Sequence, residues 1–419
     1  MRSPCTSTNR ATIEQSYVDR LAQRRYPDGM PELSRHILSV PGSGIRRIHE
    51  IALTLTEHGL DDITMLAVGE PDLPVAAHIA EAAEAAWAAD DTNYTANGGI
   101  PPLRAAIAAK HEREHGVRIP TERIWVTVGG TQALHQAMTL VLAPGDEILV
   151  PDPGYTTFSM SPRMLSAVPV PYALSAHTGF LPEPERIEAL ITDRTRAIIV
   201  NSPSNPLGTS VDEATARELL ALARRHDLWV ISDEVYEALT WTRPHVSLAA
   251  IDAIDSDGLG ERVLGVFSTS KTYAMTGARV GWLTVPDGLS ATMRTVQEAM
   301  ISCVAAPDQR AALAAIDGPQ DAVVAAREHY LGNLEAASAL LIERGIRHIV
   351  PGGAFYLWID VSHASGGDVS AWAEQFLREH RVAVAPGSAF GASGEGWIRV
   401  CAASTRADLI HGLSLLLSS

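Results

Sequence analysis

The chain has 419 residues, enough for two or three structural units and a large apolar core. Acidic residues number 49 and basic residues 33, so the net charge of -16 disfavours a protein that binds nucleic acid through electrostatic attraction. With 46% hydrophobic and 20% charged residues, the composition is that of a folded globular protein and not of a disordered one.

In chain order, the first seventy residues contain one predicted helix, residues 45–58, between glycine-rich segments. We interpret residues 1–70 as an N-terminal arm that also forms part of a small domain. The start of the chain lacks the apolar stretch of a signal peptide, and no run of about 18 apolar residues occurs. These features disfavour secretion and membrane spanning.

Residues 71–315 are predicted to form a large domain in which short apolar runs alternate with helices. The runs are residues 124–128, 147–150, 197–200, 228–232, 263–267 and 280–285, and the helices between them include residues 131–142 and 212–225. This alternation is typical of a mostly parallel sheet with helices on both faces. Ligands bind beyond the carboxyl ends of such strands, so the polar residues there are the first candidates for a site.

Residues 316–419 are predicted to form a smaller α+β domain. It begins with a long helix at residues 320–344 and continues with a strand at residues 354–361, a helix at residues 369–379 and a strand at residues 397–401. No internal repeat is present.

Lysine is rare, since only Lys110 and Lys271 occur among the 33 basic residues. A lysine retained in such a chain is a candidate for amine chemistry that arginine cannot perform. We interpret Lys110, at the end of a predicted helix over residues 103–110, as a solvated charge at a helix end. Lys271 directly follows an apolar run and the hydroxyls of Ser268 and Ser270, a setting that suits both a phosphate and a reactive amine.

Three further strand ends carry polar residues. Asp233 follows a buried run, where a carboxylate requires a cationic partner such as a protonated pyridine nitrogen. Asn205 lies in a proline-containing turn that can direct its amide toward a ring oxygen. Gly129, Gly130 and Thr131 begin a helix, whose free N–H groups favour a bound anion such as phosphate.

Together these segments resemble the class I/II aminotransferases, which are fold-type I pyridoxal phosphate (PLP) enzymes. The matching segments, spread from about residue 35 to residue 404, are Val68-Gly69-Glu70-Pro71-Asp72, Asn93-Tyr94-Thr95, Asp152-Pro153-Gly154-Tyr155, Asp233-Glu234-Val235-Tyr236, Ser270-Lys271, Gly277 with Arg279, Pro386-Gly387-Ser388 and Trp397-Ile398-Arg399. The resemblance implies an α/β fold with a mostly parallel seven-stranded sheet between helices, plus a smaller α+β domain.

The resemblance also implies catalytic and cofactor-binding roles. Lys271 would hold PLP as a Schiff base and then transfer the substrate proton. Asp233 would keep the pyridine nitrogen protonated, so that the ring can accept electrons. Tyr236 and Asn205 would hydrogen-bond the phenolic oxygen of the ring, and Tyr155 would stack on the ring.

The remaining implied roles concern the phosphate and the substrate. The phosphate would be bound by Gly130, Thr131, Ser268 and Arg279, together with Tyr94 from a second subunit. Gly129 and Ser270 would also be cofactor-binding residues. That contact implies a homodimer with its active sites at the interface. Arg399 would bind the α-carboxylate of the substrate as a two-pronged donor, with Asn205 and Gly69 nearby.

Two features depart from the family pattern or leave it open. Leu207 stands in the turn after Asn205 where the family usually has threonine. No second cation for a side-chain carboxylate is evident, since Arg46 and the other N-terminal arginines are equally possible. The sequence therefore does not select the substrate.

The predicted function is transfer of an amino group between an α-amino acid and a 2-oxo acid by a ping-pong mechanism. Another PLP reaction on an amino acid, by a lyase, a cyclase, an oxidase or a carbon–carbon bond-forming enzyme, is the alternative, because fold and cofactor do not decide the reaction. Ser268 to Lys271 also match the S-x-x-K pattern of serine hydrolases, but the K-T-G those enzymes need is absent. Too few residues precede the matched region for a DNA-binding domain of an aminotransferase-like regulator.

Cys5, Cys303 and Cys401 form no C-x-x-C pair and have no zinc-type spacing. The sequence therefore predicts no metal site, no nucleic-acid or membrane partner, and a location in the reducing cytoplasm.

Overall fold

The computed structural model describes residue 31, residues 34–60 and residues 62–416. The described residues divide into two units, one ending at Ser39 and one beginning at Val40. In the first unit the described residues include a short helix, α1 (Arg35–Leu38). Cys5 and 33 of the 70 residues of the predicted N-terminal arm lie outside the described residues. The domain boundaries predicted at residues 70 and 315 stay predictions, and the second of them falls inside a helix (Ala306–Asp317).

The second unit contains fifteen further α-helices and four short 3-10 helices among its described residues. The α-helices are α2 (Gly44–Glu57), α3 (Ala77–Ala88), α4 (Pro101–His115), α5 (Gly129–Val141), α6 (Thr157–Met164), α7 (Pro184–Glu188), α8 (Glu213–Arg225), α9 (Leu248–Asp255), α10 (Thr269–Thr272), α11 (Ser290–Met300), α12 (Ala306–Asp317), α13 (Asp321–Glu343), α14 (Ser362–Ser365), α15 (Val369–His380) and α16 (Arg406–Ser414). None of the helices in the described part of the chain combines the length and the apolar character needed to cross a lipid bilayer.

Thirteen strands accompany these helices among the described residues. They are β1 (Thr64–Met65), β2 (Ile124–Val128), β3 (Glu147–Asp152), β4 (Val168–Ala173), β5 (Thr195–Asn201), β6 (Trp229–Asp233), β7 (Val263–Ser268), β8 (Val280–Thr284), β9 (His348–Ile349), β10 (Tyr356–Asp360), β11 (Val382–Ala383), β12 (Ala385–Pro386) and β13 (Trp397–Cys401).

The large sheet has seven strands in the order β2-β8-β7-β6-β5-β3-β4. Strand β8 is antiparallel to both of its neighbours, and the strands from β7 to β4 are mutually parallel. Successive side chains of one strand belong to different apolar clusters: Ile198 to one and Ile199 to the other. Because successive side chains of a strand point to opposite faces, both faces of the sheet are covered. The predicted seven-stranded, mostly parallel sheet is confirmed.

A smaller antiparallel sheet has the strand order β12-β13-β10-β9, and β1 pairs separately with β11 in parallel. In the smaller sheet Trp358 of β10 and Ala385 of β12 both face Arg399 of β13 in register. Arg399 therefore lies on an inner strand, where neighbours on both sides fix its backbone. The predicted strand at residues 397–401 has the observed bounds.

Strand β4 is the one strand of the large sheet that the apolar runs did not predict. Its sequence, Val-Pro-Val-Pro-Tyr-Ala, contains Pro169 and Pro171. Proline cannot donate a hydrogen bond to a neighbouring strand and is confined to sheet edges, where β4 lies. The prolines that conceal this strand in the sequence are therefore compatible with its position.

Candidate active site

A cavity of about 570 Å³ lies at the carboxyl ends of the central strands. Asn201, Asp233 and Ser268, the last residues of β5, β6 and β7, all line it. The predicted site residues that line the cavity are Gly69, Gly130, Thr131, Tyr155, Asn205, Asp233, Tyr236, Ser268, Ser270, Lys271, Arg279 and Arg399. The fold thus brings together residues that are up to 330 positions apart in the chain, as from Gly69 to Arg399.

Lys271 lies in the short helix α10, directly after β7. The Ser268 hydroxyl accepts the backbone N–H of Ser270 and so caps this helix. The Lys271 Nζ donates a hydrogen bond of 2.7 Å to the carbonyl oxygen of Gly69. Burial lowers the pKa of Lys271 to about 8, because the charged amine loses its water. The neutral, nucleophilic form is therefore accessible near neutral pH.

Asp233 ends β6 and is only 3% exposed. Its Oδ1 accepts a 3.3 Å hydrogen bond from the backbone N–H of Val235, and among the described residues it forms no ion pair. Burial raises the pKa of Asp233 to about 7, and the nearby Glu234 carboxylate adds to this rise. A cationic partner in the cavity would restore the carboxylate to its charged form.

Tyr236 and Tyr356 form a buried pair whose hydroxyl oxygens are 2.6 Å apart. Burial raises the pKa of Tyr236 well above its usual range and that of Tyr356 to about 12, so both phenols are protonated at neutral pH. Tyr356 also lines the cavity, and the sequence analysis missed it. It lies within the apolar run that forms β10, and nothing in that run distinguishes it from a core residue.

Arg399 is 2% exposed, so it is not a surface residue. Its Nη1 donates to Asn205 Oδ1 at 2.7 Å and its Nη2 to the carbonyl oxygen of Ala67 at 2.5 Å. The guanidinium lies over the rings of Tyr356 and Phe390, at 4.5 Å and 4.8 Å from their centroids. Its Nε is buried without a hydrogen-bond partner, and Arg399 has no carboxylate partner among the described residues. A buried positive charge without a carboxylate partner requires an anion from a ligand.

Asn205 is held in its turn by the Asn201 side chain, whose Oδ1 accepts the Asn205 backbone N–H at 2.8 Å. Because its own Oδ1 accepts from Arg399, the Asn205 amide nitrogen is left to donate toward the cavity. Leu207, the departure from the family pattern, is fully buried in the apolar core and does not line the cavity. The substitution leaves the polar wall of the site unchanged.

The first turn of α5 supplies Gly130 and Thr131 to the cavity wall. Gly129 does not line the cavity, but a Cβ there would lie 2.5 Å from the Arg279 Nη2. Its backbone φ of +69° also favours glycine. Arg279 is held by a 2.7 Å hydrogen bond from its Nη1 to the carbonyl oxygen of Thr276. The helix start and Arg279 together form an anion-binding corner of the cavity.

Gly69 and Tyr155 lie on other parts of the cavity wall. A Cβ on Gly69 would overlap the Tyr356 hydroxyl, so only glycine permits this close approach. The Tyr155 ring makes an edge-to-face contact with Phe158, at 5.7 Å between centroids. Tyr94, by contrast, does not line the cavity and is 91% exposed.

The interpretation of Lys110 as a solvated charge is wrong. Lys110 is 2% exposed, and its Nζ forms ion pairs with Glu237, at 2.8 Å, and with Glu114. Helix α4 continues to His115, so Lys110 does not end it, and His115 also contacts Glu237 at 2.7 Å. Burial alone would lower the pKa of Lys110, but the two carboxylates reverse this effect and raise it. The lysine is a buried cation behind the site.

Comparisons with known proteins agree with this geometry. The family model described as aminotransferase class I and II matches residues 61–415. The arginine–pyruvate transaminase AruH of Pseudomonas aeruginosa is 36% identical over 360 residues, which cover 86% of this chain and 90% of that protein. The aspartate/prephenate aminotransferase of Thermus thermophilus is 34% identical over 387 residues, which cover 92% and 97%.

Solved structures are similar over the same extent. The aspartate aminotransferase from Thermus thermophilus with maleate superposes with a TM-score of 0.85 at 34% identity, covering 92% of this chain and 98% of that chain. The aspartate aminotransferase from Rhizobium meliloti gives a TM-score of 0.84 at 33% identity. The fold matches that of solved aminotransferases, the family model covers most of the chain, and most of the predicted site residues line one cavity. The chain therefore belongs to the class I and II aminotransferase family and is an aminotransferase.

Proposed function

We propose that this aminotransferase binds PLP through Lys271 and moves an amino group from an α-amino acid to a 2-oxo acid. The observation that carries the proposal is the convergence of Lys271, Asp233 and Arg399 on one cavity. Each side chain has its functional group buried or nearly so, and none forms an ion pair among the described residues. A phosphorylated pyridine aldehyde and a carboxylate substrate would satisfy all three groups.

The cavity fits the cofactor by the chemistry of its donors. When bound, PLP supplies an aldehyde that reacts with amines and a ring that withdraws electrons from the substrate α-carbon. The anion-binding corner formed by Gly130, Thr131 and Arg279 suits the phosphate. Asp233 suits the protonated ring nitrogen, because a cation there compensates its buried carboxylate. We assign Ser268, Ser270 and Tyr155 to the same binding surface.

Lys271 performs two tasks in this proposal. Its amine would hold the cofactor covalently between turnovers, and its Nζ would then move a proton from the substrate α-carbon to the aldehyde-derived carbon of the cofactor. Both tasks need the neutral amine, and a pKa of about 8 leaves roughly a tenth of it neutral at pH 7. Gly69, whose carbonyl accepts a hydrogen bond from Nζ, orients the amine.

Asn205, Tyr236 and Arg399 position the reactants. Tyr236 donates its phenolic proton toward the ring oxygen of the cofactor, and the Asn205 amide nitrogen donates beside it. Arg399 would bind the α-carboxylate through its planar guanidinium, which lines the cavity. These contacts fix the substrate so that its α-carbon bond to hydrogen faces Lys271.

Tyr94 supports a homodimer in this proposal. An aromatic side chain that is 91% exposed is unusual, and burial against a partner would explain it. Two subunits would each donate Tyr94 to the phosphate of the other. The cytoplasm remains the expected compartment, on the cysteine usage described above.

The test is a pair of half-reactions followed by visible absorbance. The enzyme is loaded with PLP and mixed with a panel of amino acids, and then the appropriate 2-oxo acid is added. The proposal predicts that the yellow band is lost with amino acids and restored with 2-oxo acids, with each product identified by mass. Elimination products or oxygen uptake without the restoring step would contradict amino transfer and favour another PLP reaction.

A further inference from the structure

One wall of the cavity is formed by the first turns of α2, and no role has been given to it. Ser43 caps this helix, its Oγ accepting the backbone N–H of Arg46 at 3.4 Å. Ser43, Ile45, Arg46 and His49 all line the cavity. Residues three apart lie on the same side of a helix, so Arg46 and His49 face the cavity together.

Arg46 is a solvent-exposed cation of this wall without a counter-charge among the described residues. It forms no ion pair within the part of the chain that the structure describes, unlike its neighbour Arg47, whose Nε lies 2.6 Å from the Glu374 carboxylate. The other cationic side chains of the cavity already have partners in the proposed function: Lys271 the aldehyde, Arg279 the phosphate and Arg399 the α-carboxylate. Arg46 therefore remains for another anionic group.

His49 supplies a second polar group on this wall. Its Nδ1 is buried and has no hydrogen-bond partner among the described residues. Because Nδ1 is closed off from the cavity, a ligand there would reach the imidazole through its other nitrogen, Nε2, which has no hydrogen-bond partner in the described part of the chain. A ligand atom that reaches Arg46 would also be close to this imidazole, because both side chains extend from one helix face.

The acidic groups of the cavity do not neutralise Arg46. Asp233 is assigned to the ring nitrogen of the cofactor. Glu70 accepts a 2.6 Å hydrogen bond from the Thr276 hydroxyl, and its charge raises the pKa of Lys271 against the larger effect of burial. Glu70 therefore lies beside Lys271. Within the described cavity wall, the α2 turn keeps an excess positive charge.

We infer that Arg46 and His49 form a subsite for a second carboxylate, so that the preferred substrates are dicarboxylic α-amino acids and their 2-oxo acids. The inference rests on the proposed function, because Arg399 must bind the first carboxylate. Arg46 and His49 donate hydrogen bonds to the carboxylate at the end of the substrate side chain. A cationic side chain such as that of arginine would be repelled by Arg46.

Binding of an unreactive dicarboxylate tests the subsite without turnover. The PLP-loaded enzyme is titrated calorimetrically with maleate and with isocrotonate, which has one carboxylate on a similar cis skeleton. We expect maleate to bind at least tenfold more tightly than isocrotonate. This factor corresponds to the lower end of the free-energy range for hydrogen bonds to a charged group. Arg46→Met should remove this preference, and His49→Phe should reduce it. Arg47→Met is the matched control and should retain it.

The same panel of amino acids used for the half-reactions separates the two proposals. Loss of the yellow band is expected to be faster with aspartate or glutamate than with leucine or arginine, and Arg46→Met should abolish that ranking. Equal binding of maleate and isocrotonate, or an Arg46→Met enzyme that still prefers maleate, would overturn the subsite. Failure of every amino acid to react would instead contradict the proposed function, while the binding comparison would still decide the subsite.

Discussion

At the scale of single residues, the site depends on charges that the protein leaves without a protein partner. A buried ionisable group without a partner shifts its pKa toward the neutral form, and Lys271 and Asp233 both do so. Such shifts are typical of functional sites, since a catalytic group must change its protonation state near neutral pH. The same burial that is unfavourable for these charged groups prepares them to bind the cofactor.

The pKa of Lys271 predicts how cofactor attachment depends on pH. Only the neutral amine attacks an aldehyde, and the lowered pKa means that this form increases as pH rises through about 8. We expect the attachment rate of PLP to the cofactor-free enzyme to rise between pH 6.5 and pH 9.5 with a midpoint of about 8. Stopped-flow absorbance measures this rate.

Lys271→Arg is the control for that measurement. It keeps the positive charge, yet it should yield no cofactor adduct after borohydride reduction, since arginine stays protonated. Mass spectrometry of the peptides locates the adduct in the natural protein. A midpoint near the ordinary lysine value, or an adduct on Lys110, would contradict the assignment.

At the scale of elements, helix α4 is connected to the segment after β6 by buried charges. Lys110 and His115 of α4 contact Glu237, which directly follows Tyr236 in the chain. Burial would raise the pKa of Glu237, but Lys110 and His115 hold it well below its usual range. The ion pairs therefore position the segment that carries Asp233 and Tyr236.

Removing one partner of this cluster should be destabilising. Lys110→Met leaves the buried Glu237 carboxylate with His115 as its one remaining ion-pair partner among the described residues, which costs up to about 3–5 kcal/mol in free energy of unfolding. Denaturant unfolding of the PLP-free protein measures the loss. Adding Glu237→Gln to Lys110→Met should recover part of it, because the buried charge is then gone.

Arg113→Met is the matched control on the same helix. Its side chain is 53% exposed, so its loss should change stability by about 0.5 kcal/mol or less. If Lys110→Met were as mild as this control, the cluster would not stabilise the fold.

The elements were predictable to different degrees, for physical reasons. Apolar runs and strand-end residues such as Asp233 and Ser268 are local signals, because the run and the residue that ends it are adjacent in the chain. Tyr356 was missed, since its place beside Tyr236 depends on how β10 pairs with β13. Lys110 was misplaced, because whether a helix face is buried depends on what packs against it, and Glu237 is 127 positions away in the chain.

At the scale of the whole molecule, the proposed dimer predicts a shared phosphate site. Analytical ultracentrifugation should show two chains per particle. Tyr94→Phe should keep the dimer but weaken PLP binding by roughly tenfold or more, since it removes a hydrogen bond to a charged group. Trp87, which is 68% exposed, provides the control variant Trp87→Phe. A monomer with unchanged PLP affinity would contradict the homodimer.

The edge of the large sheet has a consequence for association between copies. The backbone N–H of Val168 in β4 donates to the carbonyl oxygen of Asp146, and that of Leu174, directly after β4, donates to the carbonyl oxygen of Asp152. The even-numbered residues of this segment therefore form their hydrogen bonds toward the interior of the sheet. The nitrogens of Pro169 and Pro171 therefore face outward, where a strand from another molecule would pair. Because proline has no N–H, an incoming strand finds no donors at these positions. This border of the sheet is thus protected against fibril-like pairing with a strand of another molecule.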